Sequence, residues 1–227
     1  DDIVSHFTYC LAGDGCLMEG ISQEAISLAG HLKLGRLIVL FDDNQISIDG
    51  STDLAVSDDQ LQRFGASGWH TAAVDGHDAE AVALAIKNAR NVTDQPSMIA
   101  CRTVIGYGAP NKQGTASTHG APLGDEEVAG ARETLGWPHA PFVVPDDILT
   151  VWRGAGVRNR ASFERWTEAA GKLDAESRAQ LVDPVDGKVA AAISEAVAVI
   201  KAEFSAESVK LATRQSSQKV LERLVPV

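Results

Sequence analysis

The sequence predicts an α/β protein: a three-layer α/β/α sandwich around a mainly parallel sheet, followed by a helical segment and a linker. Three observations predict it. Short apolar runs alternate with stretches of helical spacing through the first half of the chain, the order that builds strand–helix–strand units. The connections between them are short. Glycines and acids follow directly on the apolar runs, where a strand gives way to a turn.

Taken in order, residues 7–12 form a short apolar run bounded by glycine and read as a buried, central strand. Ile21, Ala25, Leu28, Ala29 and Leu32 then follow helical spacing, with Gly30 and Gly35 near the end of that helix. Residues 37–41 are the second strand, and the pair with its crossover helix makes a parallel, right-handed unit. Residues 51–69 read as loop and short helix, the helix over 58–64 leading to Gly65 and Gly68. Residues 69–74 are a third strand, closed by Asp75-Gly76. Residues 79–89 are a helix capped by Asp78. Residues 97–104 are a fourth strand. A long glycine-rich loop follows over 106–120, of a length usually reserved for functional or disordered segments. Helices are expected over 126–135, ended by Gly136, from Pro145 onward, and over 162–170 with Phe163 and Trp166. Residues 183–187 break the chain, 190–204 are again helical, 205–213 read as a polar linker and 213–224 as a last helix.

The 227 residues are 44% hydrophobic, enough for a substantial core, and carry a net charge of −11. With a pI near 4.9, the surface is unsuited to nucleic acid or an anionic membrane. No run reads as a signal peptide or a membrane span. Cys10, Cys16 and Cys101 show neither paired nor metal-ligand spacing. Cys10 and Cys101 are expected to be buried thiols in apolar strands, which fits a reducing cytoplasm. The chain opens almost directly on its first strand and is expected to be a segment of a longer protein.

Ligands of open parallel sheets bind beyond the carboxyl ends of the strands. Asp14 lies just past one strand and Asn44 just past the next, with 28 residues (positions 16 to 43) between Gly15 and Asn44. A crossover puts such positions side by side. A carboxylate and an amide oxygen facing one space form an oxygen-ligand set for a hard cation such as magnesium, whose other ligands are phosphate and water. Gly15 leaves room for a phosphate to approach the backbone, and the following helix offers free N–H groups. These residues read as a metal–diphosphate site. His119, in the glycine-rich loop, reads from position alone as a surface or hydrogen-bonded histidine, and Lys112 as a solvated lysine. His31, His70 and His77 read as structural.

Gly13-Asp14-Gly15 through Ile21-Ser22, Ser27-Leu28-Ala29-Gly30-His31-Leu32, and Asp42-Asp43-Asn44 through Asp49-Gly50 resemble transketolase. So do Gly68-Trp69, Asp75-Gly76-His77-Asp78, Ile105-Gly106-Tyr107-Gly108 and His119-Gly120-Ala121-Pro122-Leu123-Gly124. The likeness runs from about residue 7 to 145, weakens, and returns at Ala212-Thr213-Arg214.

The resemblance implies a thiamine diphosphate-binding fold. It implies transfer of a two-carbon ketol unit from a ketose phosphate to an aldose phosphate, with the carbon chemistry supplied by the cofactor. Asp14, Asn44 and the Ile46 carbonyl would hold magnesium, with calcium or manganese as substitutes. Gly15, Asn44 and His119 would meet the diphosphate, and His119 would also contact substrate in a catalytic role. Ile48 would pack on the thiazolium ring, and Glu19 and Glu24 would lie at a homodimer interface. Residues 1–183 would be a diphosphate domain lacking its N-terminal part, 184–212 a helix and interdomain linker, and 213–227 the start of a pyrimidine domain. The family's activating glutamate, early histidines and substrate-phosphate arginines would lie outside the chain, so the isolated segment is expected not to turn over. Alternatives remain. Dihydroxyacetone synthase shares these features, a deoxyxylulose phosphate synthase fits the wording of residues 42–50 less well, and a non-catalytic scaffolding subunit or one half of a split enzyme would carry the same segment.

Overall fold

A computed structural model describes residues 3–182, 187–207 and 210–225. The chain divides into two compact units, Val4–Thr150 and, together, Asp1–Ile3 with Val151–Val227.

The first unit is built on four parallel strands: β1 (Thr8–Gly13), β2 (Leu37–Asp43), β5 (His70–Asp75) and β6 (Ser97–Arg102), in the spatial order β1-β2-β6-β5. Helices α1 (Asp14–Met18) and α2 (Gly20–His31) connect β1 to β2. A small antiparallel hairpin, β3 (Ile46–Ser47) with β4 (Gly50–Ser51), follows β2, and a 3-10 turn at Thr52–Leu54 leads towards α3 (Gln60–Ala66). Helix α4 (Ala79–Ala89) joins β5 to β6, and α5 (Asp125–Thr134) follows the long loop.

Alternation along the central strands sorts the core into two layers. Val39, Phe41, Met98 and Ala100 pack with Leu17, Ile26, Ala29, Phe64 and Trp69 beneath α1, α2 and α3. Ile38, Ile99 and Cys101 pack with Ala85 and Ala89 of α4 on the other face. Strand β6 is buried on both faces and so lacks a polar side, as central parallel strands do. The three-layer α/β/α architecture with a parallel sheet is therefore the one the sequence predicts.

Several expectations are corrected. Strand β1 lies at the sheet edge, paired only with β2 among the described residues; its Leu11 is 82% exposed and Cys10 is exposed rather than buried. The crossover helix is two helices, broken at Glu19, whose backbone is extended (φ −70°, ψ 140°). Ser22 Oγ and Gln23 Nε2 donate to the carbonyls of Cys16 (2.6 Å) and Leu17 (2.5 Å) across that break. On α2 the stripe Ile21, Leu28 and Leu32 faces outward, and Ile26, Ala29 and Gly30 face the core. Both stripes have helical spacing, so periodicity alone does not choose between them. The β3–β4 hairpin after β2 is not foreseen from the sequence.

Gly30 decides the α2 stripe. A Cβ there would lie 1.8 Å from the Ser67 carbonyl oxygen, so only glycine lets α2 close on the turn before β5. Trp69 completes the contact, its Nε1 donating to the Ile26 carbonyl at 2.8 Å and its ring meeting Phe64 edge-on at 4.9 Å.

The second unit is helical: α6 (Asp146–Arg158), which begins in the first unit, then α7 (Arg160–Gly171), α8 (Ala175–Val182), α9 (Gly187–Glu207) and α10 (Thr213–Leu224). Helix α8 is not foreseen from the sequence; of the break expected at 183–187, residues 183–186 lie outside the described residues and Gly187 opens α9. Helix α9 runs on to Glu207 through the stretch expected to start a linker. An Arg223–Glu203 ion pair at 2.7 Å ties α10 to it.

Gly30→Ala is expected to destabilise the protein by about 1–3 kcal/mol, the range for forcing extra volume into a packed contact. Urea unfolding followed by far-ultraviolet circular dichroism measures this, and an unchanged midpoint would contradict the assigned contact.

Candidate functional site

The register of the sheet brings the strand ends level. Gly13 lies opposite Asp42, and Asp43 and Asp75 both lie opposite Arg102. Polar residues just past each strand therefore meet at one edge.

Asp14 is the first residue of α1. Its Oδ2 accepts from the backbone N–H groups of Asn44 (3.1 Å) and Gln45 (3.0 Å), and Oδ1 makes no hydrogen bond among the described residues. Gln45 has φ +61°, a left-handed conformation uncommon outside glycine, and the turn there presents two successive N–H groups to one oxygen. Burial pushes the Asp14 carboxyl above its ordinary pKa; Asp43 and Asp42 add to the effect, and the two backbone hydrogen bonds oppose it. A half-buried carboxylate beside two others is a place where a cation is favoured.

The Asn44 carboxamide is held at both ends. Its Oδ1 accepts from Ile46 N–H at 3.0 Å, and its Nδ2 donates to Asp42 Oδ2 at 3.2 Å. Thr103 Oγ1 donates to the other oxygen of Asp42. The Arg102 guanidinium reaches Asp43 at 3.2 Å and the Gln45 amide oxygen. Asn44, Ile46, His77, Arg102, Thr103 and Gly114 are among the residues lining a cavity of about 840 Å³. Asp14 lies on the wall of a neighbouring one of about 330 Å³, and Gln45 belongs to both.

The expected residues thus fall into two groups. Asp14, Asn44 and Ile46 come together through direct hydrogen bonds. Gly15 is exposed, and a Cβ there would meet nothing within 4 Å, so no protein contact accounts for the glycine. Ile48 sits between β3 and β4 and is 72% exposed. Glu19 and Glu24 are exposed, Glu19 at the α1–α2 break and Glu24 on α2. His119 follows a 3-10 turn at Ala116–Thr118, is exposed, and lines neither cavity. Among the described residues no group of three His, Cys, Asp or Glu side chains is placed to hold a metal ion. A cation here would have to rely on a mixed set of carboxylate, amide and main-chain oxygens, the donor type that hard cations take.

Glu127 is the residue that sequence reasoning missed. It is a buried acid of α5, and its carboxylate accepts from Asn111 N–H (3.1 Å), Asn111 Nδ2 (2.7 Å) and Lys112 N–H (3.2 Å). The Asn111 side chain is the main cause holding its pKa below the ordinary glutamate value. Lys112 Nζ donates to the Leu123 carbonyl at 2.7 Å, so this lysine ties the loop to itself. At Gly130 a Cβ would lie 2.2 Å from Pro110 Cγ, which lets α5 close on the same loop. An acid in the first turn of a helix is ordinary, so nothing in the sequence marked Glu127. His77, exposed and on the wall of the larger cavity, accepts at Nε2 from Val104 N–H at 2.9 Å, and its ring stacks on Tyr107 at 4.1 Å.

A parallel sheet with helices on both faces and oxygen-bearing side chains gathered past two adjacent strands has the form of a cofactor-binding α/β domain. The family model described as transketolase, thiamine diphosphate binding domain, matches residues 1–202. The transketolase of Cereibacter sphaeroides is 53% identical over 221 residues, which is 97% of this chain and 33% of that protein. Transketolase 1 of Escherichia coli is 44% identical over 229 residues, covering 100% of this chain and 34% of its own length. Among solved structures, transketolase from Campylobacter jejuni superposes with a TM-score of 0.76 at 36% identity, covering 83% of this chain and 30% of that one. Transketolase from Leishmania mexicana gives 0.71 at 40% identity, covering 86% and 28%. The chain belongs to the transketolase thiamine diphosphate-binding domain family. It spans about a third of the length of the curated relatives it matches. Among the described residues no helix is long and apolar enough to cross a membrane.

Two outcomes are expected. Glu127 has a lowered pKa, so its stabilisation of the loop is present above the ordinary glutamate range and is lost as pH falls through the lowered value. Limited proteolysis within residues 106–120 should accelerate several-fold on acidification, and Glu127→Gln should cleave rapidly at every pH. Asp14 has a raised pKa, which costs stability above the ordinary aspartate range. Asp14→Asn should therefore raise the unfolding midpoint slightly at neutral pH, with the difference vanishing in strong acid; a lowered midpoint at neutral pH would contradict this.

Proposed function

We propose that Asp14, Asn44 and Ile46 hold a magnesium ion bound to the diphosphate of thiamine diphosphate, within a transketolase that moves a two-carbon ketol unit from a ketose phosphate to an aldose phosphate. The observation that carries the reading is the hydrogen bond from Asn44 N–H to Asp14 Oδ2 at 3.1 Å, between residues 30 apart in sequence and on different strand ends. When bound, the cofactor supplies the nucleophilic carbon and the electron sink for breaking the carbon–carbon bond.

The chain's own part is binding and orientation. The Asp14 carboxylate, the Asn44 amide oxygen and the Ile46 carbonyl neutralise and fix the metal end. Calcium or manganese serves the same oxygen set. Gly15 leaves its main chain open to a phosphate, and Ile48 offers an apolar surface to the thiazolium ring. His119 donates to phosphate and substrate oxygens, the role in which it is catalytic. Glu19 and Glu24 flank the outward stripe of Ile21, Leu28 and Leu32, and we assign this face to a homodimer interface in the whole enzyme, which works in the cytoplasm. Residues 1–183 are assigned to the diphosphate domain, 184–212 to a helix and linker, and 213–227 to the start of a pyrimidine domain. The isolated chain, with part of the cofactor cleft, binds weakly and does not turn over.

Calorimetric titration of thiamine diphosphate into the chain, with magnesium and then with EDTA, tests the reading. Binding should require magnesium and weaken at least about tenfold in Asp14→Ala, as loss of a metal ligand implies. Binding indifferent to both the metal and Asp14 would sink it.

A further inference from the structure

The Asn44 carboxamide has two ends of opposite character, and only its oxygen can hold a cation. The geometry points to Asp42 as the positioning residue that fixes which end faces the ion. This rests on the metal site proposed above. An ionised carboxylate only accepts hydrogen bonds, so Asp42 Oδ2, 3.2 Å from Asn44 Nδ2, repels the amide oxygen and draws the amino end. The opposite end is turned to Ile46 N–H at 3.0 Å, where only an oxygen can sit. The second lone pair of that oxygen remains for the metal.

Asp42 is itself held. Its other oxygen accepts from Thr103 Oγ1 at the end of β6, and the sheet register sets Asp42 directly opposite Cys101. A line of hydrogen bonds therefore runs from β6 through the end of β2 to the candidate ligand. Asp14 and Ile46 need no such device. A carboxylate presents oxygen at both ends, and a main-chain carbonyl is fixed by the backbone. Asn44 is the one ligand of the three whose orientation has to be specified, and Asp42 specifies it from the amino end while Ile46 N–H holds the oxygen end.

Two variants separate orientation from simple charge. Asp42→Ala removes the acceptor and the charge. Asp42→Asn removes the charge but keeps an oxygen for Asn44 Nδ2, its own amino group turning to Thr103 Oγ1, which can accept. Mn2+ is the probe, titrated into the full chain with thiamine diphosphate and followed by electron paramagnetic resonance. Asp42→Ala should weaken Mn2+ about tenfold, the low end for loss of an outer hydrogen-bond partner, because Ile46 N–H still holds the other end. Asp42→Asn should stay within about twofold to threefold of the parent, which is the rescue that orientation demands. Without metal, the Asn44 side-chain amide protons should shift towards free-amide positions in nuclear magnetic resonance spectra of Asp42→Ala and hold their place in Asp42→Asn.

Equal weakening in both Asp42 variants would mean that the charge alone matters and would overturn the proposal. So would an unchanged affinity in Asp42→Ala alongside a loss in Asp14→Ala, an outcome that leaves the metal site standing. Mn2+ binding that survives Asp14→Ala and Asn44→Ala, or no binding by the parent, removes the metal site and this proposal with it.

Discussion

Parallel strands in register end together, and the arrangement of the candidate site depends on that. With Gly13 beside Asp42 and Asp43 beside Arg102, residues far apart in sequence reach the same edge without a long loop to carry them. The main chain turns immediately afterwards, so short side chains suffice. Asp14 then closes the arrangement by accepting two N–H groups from the turn after β2. Longer side chains such as Glu would overshoot these donors, which is a physical reason for aspartate and asparagine at such places.

The same edge concentrates charge. Asp14, Asp42 and Asp43 lie close enough for the latter two to raise the proton affinity of the first, while Arg102 answers only Asp43. The imbalance lies beside cavities, where a cation would relieve it, and the layers beneath are almost wholly apolar. Stability resides in the layers and affinity at the rim. The loop over 106–120 belongs to the rim but is fastened from α5 by Glu127, so its glycine content does not make it a free strap.

Much of this was legible in the residues. Strong signals were local: apolar runs of strand length, Asp78 as a helix cap, and Gly-Asp-Gly and Asp-Asp-Asn directly after strands. The cap is present, with Asp78 accepting from the N–H groups of Glu80 and Ala81. What was not legible depends on partners distant in sequence. Ile21 and Ile26 are equally apolar and both lie on helical stripes, and only the approach of Ser67 to Gly30 decides which stripe is inside. Strand β1 is as apolar as a central strand, and composition does not report how many neighbours a strand has. Glu127 is one of three acids in the first turn of its helix, and its partners Asn111 and Lys112 carry no pattern that points to it. Of the candidate site, Asp14 and Asn44 could be paired on topology, but the hydrogen bonds of the Asn44 amide to Asp42 and Ile46 follow no sequence pattern.

Among the described residues β1 pairs only with β2, and that writes a signature into its amide protons. Thr8 N–H donates to the Arg36 carbonyl at 2.8 Å, and in a parallel ladder successive residues face opposite neighbours. The N–H groups of Cys10 and Ala12 therefore turn towards β2, and those of Tyr9 and Leu11 turn away. One strand thus carries two exchange clocks, a slow one coupled to opening of the sheet and a fast one open to solvent. Anything that seats itself along β1 as a further strand slows the fast set alone, so the alternation reports on the occupancy of that edge residue by residue.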